Sequence, residues 1–388
     1  MIPCLQLKPI RNSTPRVLKG HPWVFASEVV SYIPQSFAGQ GVGLRDIEGR
    51  WMGMGIYNPK SQIIWRRYTW DRDALFDGAF FQKALEKALA KRGPVSVGRL
   101  VWSEVDGLPG LVVDRYQDVL VIQALTLAVE RNLEVFTDIL KQLLPEITEV
   151  VYRCDAPSRQ YEGLNMYART ASGNPLAPKW YDIDGVDYWL DLEHGHKTGF
   201  YLDQREQHVK VGAMAKGKKV IDAFCNQGSF ALQAARHGAE SVFAIDISEA
   251  CIQSAEKNAE RAGFNQVKFR ASNMFDILAV TPANAYDLIV LDPPSFARNK
   301  EALQGALRGY KELNLRALKA LRPGGVLATY ACSHAVTMEI FHETVCDAAL
   351  DTHREVQVLE VTGQPLDHPI SLLFPESAYI KGLILRVE

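Results

Sequence analysis

The sequence predicts an α/β protein. Its C-terminal part, residues 181–388, is expected to form a mostly parallel, doubly wound sheet, preceded by a small β-barrel over residues 1–70 and a small α+β domain over residues 74–180. Three observations carry this reading. From about residue 218, short apolar runs alternate with longer amphipathic ones, the pattern of strands joined by crossover helices. Before residue 70 the runs are short, rich in β-branched and aromatic residues, and broken by turns such as Glu48-Gly49-Arg50 and Asn58-Pro59-Lys60-Ser61. Between these regions the two periods mix.

A chain of 388 residues is too long for one compact core. No stretch approaches the ~20 consecutive apolar residues of a membrane span, and residues 1–10 lack the apolar core of a signal peptide. The expectation is a soluble, cytoplasmic protein. The six cysteines, Cys4, Cys154, Cys225, Cys251, Cys332 and Cys346, are scattered and form no C-x-x-C pair, so neither a metal site nor a disulfide framework is expected. Net charge is only −2, but residues 1–70 carry nine basic side chains (Lys8, Arg11, Arg16, Lys19, Arg45, Arg50, Lys60, Arg66, Arg67) against Glu28, Asp46 and Glu48. That bias fits either a phosphate-rich partner or a solvated surface.

In chain order, residues 42–46, 51–57 and 62–68 read as strands, and the charged run at 70–73 as a boundary. A helix is expected over 76–92, ended by Gly93-Pro94. Strands at 100–104, 111–115 and 119–125, a helix at 132–144 closed by Pro145, and a strand at 149–153 make the middle domain, with 170–180 as a linker. The last domain reads as strands at 219–224, 241–245, 267–271, 287–292 and 326–332, with helices at 230–237, 249–262 and 305–320.

The chemistry sits at the strand ends, where ligands bind in doubly wound sheets. The first strand ends in Asp222-Ala223-Phe224 and runs into Cys225-Asn226-Gln227-Gly228-Ser229. This loop has small residues but no G-x-G-x-x-G, so it suits a dinucleotide poorly. The second strand ends in Asp246-Ile247, where a carboxylate could accept from ribose hydroxyls. The third ends in Ser272-Asn273-Met274-Phe275-Asp276, where a polar side chain could read an adenine amine, and the fourth in Asp292-Pro293-Pro294-Ser295-Phe296. Each feature alone is weak. The ordered series is the arrangement of class I methyltransferases, whose cofactor is S-adenosylmethionine.

Along its whole length the chain also resembles the bacterial and archaeal 23S rRNA cytosine-5 methyltransferases that carry an N-terminal PUA domain. The resemblance rests on Lys19-Gly20-His21-Pro22-Trp23-Val24-Phe25, on Glu104-Val105-Asp106-Gly107-Leu108-Pro109-Gly110-Leu111, and on Gly195-His196-Lys197-Thr198-Gly199-Phe200-Tyr201-Leu202-Asp203-Gln204-Arg205. Gly309-Tyr310-Lys311-Glu312-Leu313-Asn314 and Cys332-Ser333-His334 also fit. It implies an RNA partner, 23S rRNA or a ribosomal particle, with Lys19, His21, Trp23, Arg66 and Arg67 as RNA contacts. Lys197, Phe200, Asp203 and Arg205 would lie near the methionine end of the cofactor or the substrate, or simply extend the sheet. Two departures stand out. Asn226-Gln227 replaces a common Tyr-Thr, and Asn273 replaces a common Asp, though an amide oxygen can still accept from an amine. Oligomeric state stays open, a homodimer included.

Pyrimidine C5 is a poor nucleophile unless a thiolate adds to C6. Cys332 follows an apolar strand on the cofactor side, and Asp292 ends the neighbouring strand, placed to protonate N3. The Asp292 loop holds no second cysteine, a gap the resembling family shares, and Cys225 reads as a packing residue. Three other readings remain at this point. One is an amino-group methyltransferase, which Ser295 in place of an aromatic weakens. The others are a non-catalytic RNA- and cofactor-binding protein, and a dehydrogenase, against which the missing G-x-G-x-x-G counts.

Overall fold

The computed structural model describes residues 2–9, 14–30, 33–195, 197–296 and 301–388. Arg11 and His196 lie outside the described residues. The chain divides into two compact units. The first comprises Met1–Lys179, Leu190–Leu202 and Leu366–Ser377, and the second Trp180–Trp189, Asp203–Pro365 and Ala378–Glu388. No described helix is long and apolar enough to cross a membrane, and no cluster of described side chains suits a metal ion.

The first unit holds two five-stranded sheets. Strands β1 (Cys4–Gln6), β2 (Trp23–Val24), β3 (Gly41–Arg45), β4 (Trp51–Tyr57) and β5 (Trp65–Thr69) form the first, in the order β1-β3-β4-β5-β2. A bridge between Leu7 and Val29 joins the chain after β1 to the chain after β2, so the two edges of the sheet meet and few backbone groups are left open. The expected strand at 62–68 begins only at Trp65, because Asn58–Ile64 is used for the turn, in which the Asn58 amide N–H donates to the Ile64 carbonyl at 3.0 Å.

The second sheet follows helix α1 (Gly78–Arg92) and consists of β6 (Val97–Trp102), β7 (Leu111–Tyr116) and β8 (Val119–Ala124). After helices α2 (Leu127–Arg131) and α3 (Leu133–Leu143) come β9 (Glu149–Cys154) and β10 (Tyr167–Thr170), the last unforeseen. Asp77 caps α1 by accepting from the Phe80 N–H at 3.1 Å. Phe81 and Leu85 of α1 and Phe136 and Leu140 of α3 then pack on Leu111, Val113, Leu120 and Ile122 of the sheet, all buried.

The second unit opens with a hairpin, β11 (Lys179–Ile183) and β12 (Val186–Leu190), and helix α4 (Arg205–Ala213). Strands β13 (Lys219–Ala223), β14 (Ser241–Asp246), β15 (Val267–Ala271), β16 (Tyr286–Leu291) and β17 (Leu321–Ala331) are parallel. Helices α5 (Ser229–Arg236), α6 (Glu249–Ala262), α7 (Met274–Val280) and α8 (Leu303–Ala320) connect them. Helix α9 (Met338–Thr352) leads to β18 (Val356–Thr362) and β19 (Lys381–Val387), which are antiparallel, giving the order β15-β14-β13-β16-β17-β19-β18.

Why the sheet is covered on both faces is visible in its side chains, because neighbours along a strand point to opposite faces. Ile221, Ile245, Ile289 and Leu327 meet Met274, Leu313 and Phe341 from α7, α8 and α9. Val220, Ala244, Leu288 and Ala328 meet Val211, Phe230 and Ile252 from α4, α5 and α6. The strand order reverses between β13 and β16, so a crevice opens at their carboxyl ends.

Candidate active site

The loop after β13 is bent by three residues with positive φ: Phe224 at 66°, Asn226 at 49° and Gly228 at 89°. For the two non-glycine residues this costs roughly 1–2 kcal/mol each, so surrounding contacts must hold them. Asp246 at the end of β14 is one such contact. Its Oδ2 accepts from the Asn226 N–H at 2.9 Å and its Oδ1 from the Ser248 N–H at 2.9 Å. Asp222 is another. It is fully buried, and its Oδ2 accepts from the Ala231 N–H at 2.8 Å, satisfying an amide in the first turn of α5.

Asp222 Oδ1 has no hydrogen-bond partner among the described residues. Burial pushes this carboxyl well above the usual carboxylate range despite the Ala231 N–H, and the charges of Asp292 and Asp246 push it further. Three carboxyl groups thus share one mouth at the carboxyl edge of the sheet, a place that a cationic ligand would relieve. Ile247, next to Asp246, is 76% exposed, an apolar side chain offered to solvent at a ligand edge.

On the other side of the crevice, the half-buried Asp292 accepts from Gln204 Nε2 at 3.1 Å. Cys332, half-buried just past β17, places its Sγ 3.9 Å from the Pro293 carbonyl oxygen. The structure therefore brings together Asp222, Phe224, Asn226, Gly228, Asp246, Ile247, Asn273, Met274, Asp292, Pro293 and Cys332 along one edge of one sheet. Cys225 is in the same loop but buried. Burial, with the nearby Asp222 and Asp246, drives its thiol well above the ordinary range, which makes a poor thiolate.

The other expected site residues have these surroundings. Met274 is buried in the core against the sheet, so its side chain is not open to a ligand. Asn273 uses its Oδ1 to cap α7, accepting from the Phe275 N–H at 2.9 Å. Arg205 is turned to Asp184, donating to both its oxygens at 2.6 Å. Asp203 accepts from the Tyr379 hydroxyl at 2.9 Å. Lys197 and Phe200 fall in the first unit. There Lys197 Nζ lies 4.0 Å over the Tyr201 ring, and the Phe200 N–H donates to the Tyr116 hydroxyl at 3.1 Å. Thr198 of the same segment donates to the buried Asp114 at 2.7 Å. Gln204, between Asp203 and Arg205 in the same motif, is the residue of this segment that reaches Asp292.

Comparison with known proteins decides the family. A methyltransferase-domain model matches residues 214–366 and a PUA-like-domain model residues 5–70. The ribosomal RNA large subunit methyltransferase I of Shewanella amazonensis is 38% identical over 394 residues, covering 99% of both chains. The protein of the same description from an Enterobacter species is 36% identical over 383 residues, 96% of both. This chain belongs to the ribosomal RNA large subunit methyltransferase I family. Among solved structures, a Streptococcus mutans protein described as a SAM-dependent methyltransferase superposes with a TM-score of 0.82 at 18% identity over the whole of both chains. A methyltransferase structure complexed with SAH gives 0.82 at 19%, again over the whole of both. At such identities they show the fold, that of the class I methyltransferases with a PUA-like domain in front.

For a member of this family the cofactor is S-adenosylmethionine, and the residues fit it. The carboxyl-lined mouth matches a ligand with a sulfonium and an amino group, the open lone pairs of Asp246 suit ribose hydroxyls, and Ile247 offers an apolar surface to an adenine ring.

The family's N-terminal signature is tied down by contacts within the first unit. Trp23 Nε1 donates to Glu104 at 2.7 Å, and Arg66 pairs with Glu104 at 3.0 Å and Glu162 at 3.4 Å. Burial raises the Glu104 carboxyl, but Arg66, Ser103 and Trp23 outweigh it and hold the group below its ordinary value. His21 is buried against Glu376 at 3.0 Å, and Arg67 is buried, bonded to the Gly20 carbonyl and stacked on Trp70. Of the five residues expected to touch RNA, Lys19 alone is exposed. His21 and Arg67 are buried and Trp23 and Arg66 half-buried; acids on distant segments hold His21, Trp23 and Arg66, while Arg67 is held by the Gly20 carbonyl and the Trp70 ring. Trp23→Phe, which keeps the packing and removes the bond to a charged acceptor, is therefore expected to lower stability by about 1.5–3 kcal/mol. Denaturant titration would measure that loss, while RNA affinity and its salt slope stay at wild-type values. A weakened RNA complex with unchanged stability would restore Trp23 as an RNA contact.

Proposed function

We propose that this protein methylates C5 of a cytosine in large-subunit ribosomal RNA, through a covalent adduct of Cys332 with C6. The observation that carries the reading is the placement of the Cys332 thiol beside the Pro293 carbonyl, at the tip of the strand next to Asp292. The rRNA substrate rests on the relatives' description as large-subunit rRNA methyltransferases.

In this reading, Asp246 takes the ribose hydroxyls, the loop from Phe224 to Gly228 lies along the cofactor with Ile247 against the adenine, and Asp222 holds that loop to α5 through the Ala231 N–H. Bound S-adenosylmethionine supplies an electrophilic methyl group. The Cys332 thiolate forms a bond to C6, and the C5–C6 π pair moves toward C5 as N3 gains a proton, with Asp292 placed as donor. Gln204, bonded to Asp292, fixes that carboxyl. The enriched C5 takes the methyl, the C5 proton leaves to a base, and the C6–S bond breaks to return the thiolate as N3 gives its proton back to the Asp292 carboxylate. Lys19 and other exposed basic groups of the first unit supply RNA affinity.

RNA carrying tritium at cytosine C5 tests the position directly. One tritium should be released to water for each methyl transferred. Methylation with retention of tritium would instead assign the activity to an amino group or another base.

A further inference from the structure

Lys381 opens β19 and lies directly across from Ala331, the residue before Cys332. It is 6% exposed. Its Nζ donates to the Ser333 carbonyl at 2.6 Å and to the Tyr379 carbonyl at 2.9 Å, so the ammonium is tied to the residue that follows Cys332. Among the described residues no carboxylate forms an ion pair with it. A lysine buried without a counter-charge is costly, and its chain position gives no reason for it. The neighbouring acids act elsewhere: Asp203 receives the Tyr379 hydroxyl, and Glu360 of β18 pairs with Lys210 at 2.5 Å.

We infer that Lys381 is a positioning residue for Cys332, supplying the fixed positive charge that keeps this thiol in its thiolate form beside the Asp292 loop. The inference rests on the reading of Cys332 as the nucleophile. The groups near the pair are Asp292, just past β16, Tyr310 from α8, and His334 and Tyr379, whose rings lie 6.1 Å apart; the charges of Asp292 and Glu360 also reach Tyr330 of β17. When ionised, Asp292 opposes a further negative charge beside it, so a cation there favours the thiolate. Burial lowers the Lys381 ammonium to about 8, and the Cys332 charge pulls it back up. The coupling is mutual, since an anion that favours the ammonium is favoured by it equally. The two carbonyl bonds keep the charge from swinging to solvent, and the third N–H of the ammonium remains for the sulfur or for the substrate that it attacks.

The test is the pH dependence of Cys332 alkylation by iodoacetamide in the full-length enzyme, followed by peptide mass spectrometry so that Cys346, which is exposed, is counted separately. The wild type should show a midpoint below that of an ordinary thiol, with a second bend near the pH at which Lys381 loses its proton. Lys381→Gln should raise the midpoint by about one unit and slow alkylation at neutral pH about tenfold. Lys381→Arg keeps the charge and N–H donors for the two carbonyls and never deprotonates, so it should keep the low midpoint and lose the second bend. Calorimetric binding of S-adenosylmethionine reports whether each variant is folded. An unshifted midpoint in Lys381→Gln overturns the inference, as does a second bend that survives in Lys381→Arg. Failure of the underlying reading looks different: an active Cys332→Ala enzyme removes the nucleophile itself, whatever the alkylation profiles show.

Discussion

Replacing Cys332 by alanine is expected to abolish methylation while S-adenosylmethionine and RNA still bind. A covalent nucleophile is part of the route, not an aid to it, so little residual rate should remain. The half-buried Cys332, 3.9 Å from the Pro293 carbonyl, and the buried Cys225, with its thiol driven up by burial, give opposite expectations for the two cysteines. Cys225→Ala should keep substantial activity and lose about 1 kcal/mol of stability for a missing buried thiol. RNA with 5-fluorocytosine at the target should become covalently attached to the wild type, because fluorine cannot leave as a proton does. It should not attach to the Cys332 variant. An active Cys332→Ala enzyme, or an adduct mapped to Cys225, would move the assignment toward amino-group methylation.

The second large effect is expected at Asp246. Its carboxylate holds the strained Asn226 and the Ser248 amide and still has lone pairs for two hydroxyls. Asp246→Ala removes all of these acceptors and should weaken S-adenosylmethionine binding by about 1.5–3 kcal/mol, the scale of hydrogen bonds to a charged group. Calorimetry measures the affinity directly. Unchanged affinity would mean that the ribose is held by other groups. Asp246→Asn, which retains an acceptor oxygen for the loop, separates loss of the ribose contact from collapse of the loop.

The central sheet was legible because its strands are apolar on both faces and its helices amphipathic. Helix α6 and strand β15 fall where the periodicity puts them. The acids at the strand ends were legible for the same reason, since a carboxylate closing an apolar run is conspicuous. What escaped had no period to read. Strand β18 exposes Val358, Leu359 and Val361 in near succession, so it lacks the alternation of a half-buried strand. Strand β19 is a short apolar run that could equally be a buried helix segment, and α7 is only seven residues long. The inward packing of His21 and Trp23 was hidden for another reason. His, Trp and Arg are the residue types of nucleic-acid contacts, but their partners Glu104 and Glu376 lie 81 and 355 positions away from Trp23 and His21. No local pattern reports a neutralising acid at that separation. Lys381 was missed likewise, 48 positions from the Ser333 carbonyl that fixes it.

The short segment Leu366–Ser377 belongs to the first unit although it is written near the end of the chain. It supplies Phe374, whose ring sits 4.8 Å from that of Trp23, Glu376 for His21 and Arg16, and Asp367 for the Arg99 amide. A ribosome adds about 5–20 residues per second, so the ~200 residues between Lys179 and Ser377 take about 10–40 s to synthesise. Throughout that interval Trp23 lacks the Phe374 ring and His21 the Glu376 carboxylate. A frameshift or early stop before Leu366 would therefore be felt also at the other end of the protein, where the opening residues would lose the contacts that complete them.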